Sequence, residues 1–189
     1  MELESISIVM PNYNSATALP ESLGSLLWQT YPIREIIIVD NNSTDNSLKI
    51  IERFRRESKR FPIRILRQKV NRGLIPSYSW GVQEATSQYV ITMHSDSKLA
   101  TEREIEKLIA PFQIDNTVVA TYPIVWHPES IWQEYNFWQK LHFSRLVNVE
   151  DHGLNGKFDC YKKTVLLLVH EKLQQRFIDP NIAGGEDWD

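Results

Sequence analysis

Two apolar runs that stop abruptly in polar residues constrain this chain more than any other feature. Ser5-Ile6-Ser7-Ile8-Val9-Met10 runs into Pro11-Asn12-Tyr13-Asn14, and Ile36-Ile37-Ile38-Val39 runs into Asp40-Asn41-Asn42-Ser43-Thr44-Asp45. Short, β-branched, nearly unbroken apolar runs are what parallel strands buried on both faces require. In an open parallel sheet, ligands bind in the crevice outside the carboxyl ends of the strands. Pro11, Tyr13, Asn14 and Asp40 are therefore expected to face one crevice. His94-Ser95-Asp96 ends a third such run, and Glu186-Asp187 follows a glycine pair near the end. Polar groups after at least three strands suggest an enzyme site, and the acidic ones suggest a metal and a base.

Helical patterns fill the spaces between strands. Pro20 followed by Leu23, Leu26 and Leu27 predicts a helix with proline in its first turn. From Thr44, Leu48, Ile51 and Phe54 share one face, with Lys49, Arg53, Arg55 and Arg56 largely opposite, the pattern of an amphipathic surface helix. Residues 63–66, 89–93 and 118–121 read as further strands. Asn71-Arg72-Gly73 reads as a turn before a helix over 75–85. Thr101, with Glu104 three residues on, forms a capping box for a helix to about Phe112. This alternation implies an α/β domain with a mostly parallel, Rossmann-like sheet flanked by helices. After Tyr122 the rhythm breaks into a segment rich in large aromatics, among them Trp126, Trp132, Tyr135, Phe137, Trp138 and Phe143. No Gly/Ser linker or repeat separates it, so it reads as the irregular second half of one domain.

The bulk numbers exclude several classes. The chain's 189 residues suit one domain with a sizeable core. A formal net charge of −3 gives no support for a nucleic-acid partner, which selects a basic face. Cys160 is the one cysteine, so no intrachain disulfide can form, which suits a reducing compartment. No signal peptide is visible, and the apolar run Val165–Val169 is far below the roughly 20 residues that span a bilayer. A cytoplasmic protein is expected, acting free or at the inner face of the membrane. The chain stops at Glu186-Asp187-Trp188-Asp189, inside what looks like a motif, so the polypeptide is expected to continue.

Each candidate residue has a plain alternative. Asp40 can accept hydrogen bonds from a base or a ribose, or it can cap the following helix. Imidazole and carboxylate at His94 and Asp96 suit Mn²⁺ or a similar ion, with substrate phosphate oxygens completing the shell; Mg²⁺ prefers oxygen throughout. They can equally be turn residues. Asp187 and Glu186 offer a general base for an acceptor hydroxyl, or a solvated turn. The aromatic segment can stack on sugars, lie on a membrane surface or cover the sheet. No G-x-G-x-x-G follows the first strand and no G-x-x-x-x-G-K-[ST] occurs, so a glycine-rich phosphate loop is excluded.

Taken in order, Ser7-Ile8-Val9-Met10-Pro11-x-Tyr13-Asn14, Gln29-Thr30-Tyr31-Pro32, Glu35 to Ser47, Asn71-x-Gly73, His94-Ser95-Asp96 and Gly185-Glu186-Asp187 resemble the family 2 glycosyltransferases of GT-A fold. The resemblance implies inverting transfer of a sugar from a nucleotide-diphosphate donor, of UDP or GDP type, to the hydroxyl of a glycan or lipid-linked acceptor. It implies that Pro11, Tyr13 and Asp40 hold the nucleobase and ribose, with Asn14, Gly73, His94 and Ser95 in the same nucleotide-sugar site. His94-Ser95-Asp96 stands at the D-x-D motif, so Asp96, with His94 replacing the first aspartate, would bind Mn²⁺ or Mg²⁺. Asp187 stands at the position of the catalytic base, with Glu186 beside it. Residues 1–121 would form the nucleotide-binding half and 122–189 the acceptor side. Two rival readings are a nucleotidyltransferase and a non-catalytic nucleotide-sugar binding module.

Overall fold

The structure is a computed structural model that describes residues 5–126, 133, 140, 150–151, 153–154 and 156–176. The elements run β1 (Ile6–Asn12), α1 (Leu19–Leu27), β2 (Ile33–Asp40), α2 (Ser47–Glu57), β3 (Ile63–Arg67), α3 (Leu74–Glu84), β4 (Tyr89–Met93), α4 (Glu104–Ile114), β5 (Ala120–Thr121), β6 (Val125–Trp126), β7 (Glu150–Asp151), β8 (Phe158–Lys162) and α5 (Lys163–Arg176). Six strands form one sheet in the order β3-β2-β1-β4-β8-β5, and β6 and β7 form a small separate ribbon. The first four strands are mutually parallel, while β8 runs antiparallel to both β4 and β5.

The near-continuous apolarity of β1 and β2 has a direct cause. Successive side chains point to opposite faces of a sheet, and here both faces are covered. Ile8, Met10, Ile36 and Ile38 pack with Leu23 and Leu26 of α1, Ile51 of α2, and Ile105 and Phe112 of α4. Val9, Ile37 and Val39 pack on the other face with Val82 and Ala85, supported by Leu166 and Leu167 of α5. Each such buried aliphatic side chain contributes about 1.5–3 kcal/mol. Close approach of α3 depends on Gly81, where a Cβ would collide with Val9 Cγ1 and lie 3.1 Å from Val39 Cγ2.

A buried charge pins the strand ends opposite the crevice. Glu35 Oε1 accepts from Ser7 Oγ (3.0 Å), Thr86 N (2.8 Å) and Thr86 Oγ1 (2.6 Å), and Oε2 accepts from Arg64 Nη1 at 3.0 Å. Burial alone would raise the Glu35 pKa, but the Thr86 and Arg64 bonds outweigh it and hold the carboxyl below its ordinary value. A depressed folded-state pKa gives stability that is present above the unfolded value of about 4.3 and is lost as pH falls through the folded one. Glu35→Gln is therefore expected to flatten the acid side of the stability profile, read from urea midpoints between about pH 3 and 7.

Several elements differ from their sequence signals. The fifth strand is trimmed from 118–121 to Ala120–Thr121, and it joins the sheet through β8 rather than directly beside β4. Thr101 is no N-cap: α4 starts at Glu104 after Arg103, although the Thr101 hydroxyl does bond the Glu104 carboxylate. The tight turn over 101–103 pushes helical geometry later, and Gln29 Oε1 accepts the amide of Ile105 instead (3.2 Å). The helix expected from Thr44 starts at Ser47, because the preceding loop is held by Asn14 and Asp45.

Candidate functional site

The chain moves outward from β1 to β2 and β3, then returns to place β4 on the other side of β1. That reversal is a topological switch point, where open α/β sheets bind ligands. The β1–β4 ladder ends at Val9–Thr92, whereas β1–β2 continues to Asn12–Asp40. The two central strands thus part beyond Val9, and their following loops form the lips of a crevice. Pro11 lies in this stretch, where β1 no longer pairs with β4, which is how a central strand accommodates a residue without an N–H. Pro11 itself is buried, while Tyr13 stands 47% exposed on the lip.

Asp40 closes β2 and is only 2% exposed. Its Oδ1 accepts from Asn12 Nδ2 at 2.9 Å and its Oδ2 from Ser43 N at 3.2 Å. It does not cap α2. The N-cap position is Asn46, and Asp45 before it holds the first helical amide, with Oδ1 accepting Ser47 N (2.8 Å) and Oδ2 accepting Ala16 N (2.9 Å). Desolvation would raise the Asp45 pKa, but the bonds from Ser47 and Ala16 bring it below the usual value. Asn14 adopts a left-handed φ of 48° and spends its side-chain oxygen on the amides of Thr44 (2.8 Å) and Asp45 (3.3 Å). It therefore ties the first loop to the second.

The turn before α3 is tied to the same rim. Asn41 Nδ2 donates to Asn71 Oδ1, and Asn41 Oδ1 accepts the amide of Arg72 at 2.8 Å. Asn71 Oδ1 also accepts the amide of Gly73 (2.8 Å), whose φ of 83° needs glycine. Sequence reasoning missed Asn12 and Asn41 as organisers. Their position beside Pro11 and Asp40, at the ends of two strands, was the available signal.

On the opposite lip, the His94 amide donates to Lys157 O (3.1 Å) and Ser97 N donates back to His94 O (3.1 Å), closing a tight turn. Asp96 is 73% exposed, and its Oδ1 lies 4.0 Å from His94 Nδ1. The imidazole stacks on Tyr78, with ring centroids 6.2 Å apart. His94 Nε2 is buried and lacks a hydrogen-bond partner among the described residues. Burial lowers the His94 pKa, with Lys157 adding to that and Asp96 and Asp159 opposing it, which favours the neutral ring. A neutral imidazole and a carboxylate facing each other are a donor pair that fits a divalent ion. Among the described residues no group of three or more His, Cys, Asp or Glu could hold a metal alone, so ligand oxygens would have to complete the shell. Beside this turn lies a cavity of about 320 Å³, lined by Leu74, Ile75, Tyr78, Val82 and Leu166 together with His94.

Glu186 and Asp187, and most of the aromatic segment, lie outside the described residues. Among the described residues, no helix is long and apolar enough to cross a membrane.

Comparison with known proteins places these features in a family. The chain is 36% identical to the glycosyltransferase GlyG of Streptococcus pneumoniae over 110 residues, 58% of this chain and 36% of that protein. It is 31% identical to the poly-beta-1,6-N-acetyl-D-glucosamine synthase of Staphylococcus epidermidis over 96 residues, 51% of this chain and 23% of that protein. It thus spans well under two thirds of the length of these relatives. Among solved structures, the mannosyltransferase PcManGT of Pyrobaculum calidifontis, in complex with GDP-Man and Mn²⁺, superposes with a TM-score of 0.69 at 19% identity, over 88% of this chain and 46% of that one. Residues 1–349 of TarS from S. aureus superpose with a TM-score of 0.63 at 16% identity, over 88% of this chain and 49% of that one. These likenesses show the GT-A fold. The family model for glycosyl transferase family 2 matches residues 7–164, from β1 into α5, and the chain belongs to that family.

Proposed function

We propose that this chain carries the nucleotide-binding part of a glycosyltransferase that moves a sugar from a nucleoside-diphosphate donor to an acceptor hydroxyl, with inversion. The observation that carries the reading is the switch-point crevice, which has a buried, pre-oriented Asp40 on one side and an exposed Asp96 on the other. Asp40, already fixed by Asn12 and Ser43, receives the nucleoside, with Pro11 and Tyr13 beside it. Asn14 and Gly73 shape the rim, and Ser95 and His94 line the diphosphate side. Asp96, with His94 Nδ1, would hold a divalent cation, Mn²⁺ by its donor chemistry, and that group would supply positive charge beside the departing diphosphate. Asp187, with Glu186 beside it, takes the proton of the acceptor hydroxyl, whose oxygen attacks the anomeric carbon opposite the leaving group. The relatives' names, a polysaccharide synthase among them, support a glycan acceptor in polysaccharide synthesis.

A thermal-shift screen with UDP- and GDP-sugars tests the donor site. A ligand that binds only the native state raises stability by RT ln(1 + [L]/Kd). The expected result is stabilisation by one nucleotide class that grows with Mn²⁺. No shift from either class, with or without Mn²⁺, would contradict the reading.

A further inference from the structure

The two lips of the crevice are joined by a hydroxyl pair. Ser15 Oγ lies 2.7 Å from Ser95 Oγ, across 80 residues of sequence. We propose that Ser15 is a positioning residue, and that its bond to Ser95 is the clasp that fixes Asp96 relative to the nucleotide seat. The inference rests on the reading of this crevice as a nucleotide-diphosphate site and adds a device that couples its two halves.

Both ends of the clasp are anchored. The Ser15 amide donates to Ser47 Oγ at 2.9 Å, at the start of α2. The Ser15 hydroxyl donates to Tyr13 O at 3.1 Å, which leaves the Ser95 hydroxyl to donate across the gap. The next amide, that of Ala16, is held by Asp45. Ser95 is only 9% exposed and sits inside the turn closed by the Lys157 and Ser97 bonds. The strand ladder cannot do this work, because β1 and β4 stop pairing at Val9–Thr92. Asp96 is the residue next to Ser95, so its place over the crevice follows the turn. A cation shared by Asp96 and a diphosphate needs both lips at one spacing, whereas the nucleoside alone needs only the β1–β2 side. The clasp should therefore govern the gain in nucleotide affinity that the cation brings, and leave cation-free binding alone.

The experiment is calorimetric titration of the full chain with UDP and with GDP, with and without Mn²⁺. In Ser15→Ala, cation-free affinity is expected to stay within about twofold of the wild type, while the gain on adding Mn²⁺ falls by about three- to tenfold, the worth of one hydrogen bond. Ser15→Thr, which keeps the hydroxyl, should restore the gain. Ser95→Ala, which also removes a hydroxyl from the diphosphate side, should lose at least as much of the gain, and the double variant should lose no more of it than Ser95→Ala alone. An undiminished Mn²⁺ gain in Ser15→Ala, or an equal loss of affinity with and without Mn²⁺, would overturn the clasp and leave the site reading standing. A wild-type chain that gains nothing from Mn²⁺ would overturn both.

Discussion

Asp96→Ala is expected to cut sugar transfer by about 10²–10³-fold, the usual cost of removing one group aimed at charge that develops in the transition state. Its folding stability should barely change. The side chain is 73% exposed, and surface substitutions of this kind stay within about 0.5 kcal/mol. The two readouts therefore separate. A melting temperature near that of the wild type, together with a collapse in kcat/KM, places the loss in the site. The remaining imidazole does not substitute for the carboxylate, because Nδ1 offers the cation one neutral nitrogen where Asp96 offers negative charge. Near-normal turnover by Asp96→Ala at saturating Mn²⁺ would remove Asp96 from the mechanism.

Asp187→Ala is expected to lower kcat by roughly 10²–10⁴-fold, the range for general-base assistance. The donor KM should change little, since the acceptor proton and not the nucleotide is the target. Asp187→Asn should behave alike, because the amide keeps the shape and loses the basicity. Glu186→Ala provides the contrast, with a smaller loss expected. If Glu186→Ala costs more than Asp187→Ala, the two roles are exchanged.

What the sequence made legible follows from which signals were local. β1 and β2 could be read because both faces are buried, so each run is almost wholly apolar, Ile6–Met10 broken by Ser7 and Ile36–Val39 unbroken. Their ends could be read because the chain turns polar at Asn12 and Asp40, the last paired residues of the β1–β2 ladder. β8 could not: Phe158-Asp159-Cys160-Tyr161-Lys162 carries a carboxylate at its second position, and Asp159 is fully buried although its bonds from Gly156 N and Tyr161 Oη are local, a burial that follows from the strand's place in the sheet. Its antiparallel insertion between β4 and β5 depends on contacts that no periodicity encodes. At the site, Asp40 and Asp96 stood out by chemistry and strand position. Asn12, Ser15 and Asn41 did not, because a hydrogen bond that positions another residue is a property of the pair and appears only when distant loops meet. Asn14 stood out as a ligand candidate, yet in the fold it pins Thr44 and Asp45.

The most direct test is product analysis. The full-length protein is incubated with a UDP- or GDP-sugar, Mn²⁺ and a glycan acceptor, and the released nucleotide is identified by chromatography. Nucleoside diphosphate formed together with a glycosylated acceptor is the predicted result. Pyrophosphate release, or donor binding with neither release nor transfer, would contradict it.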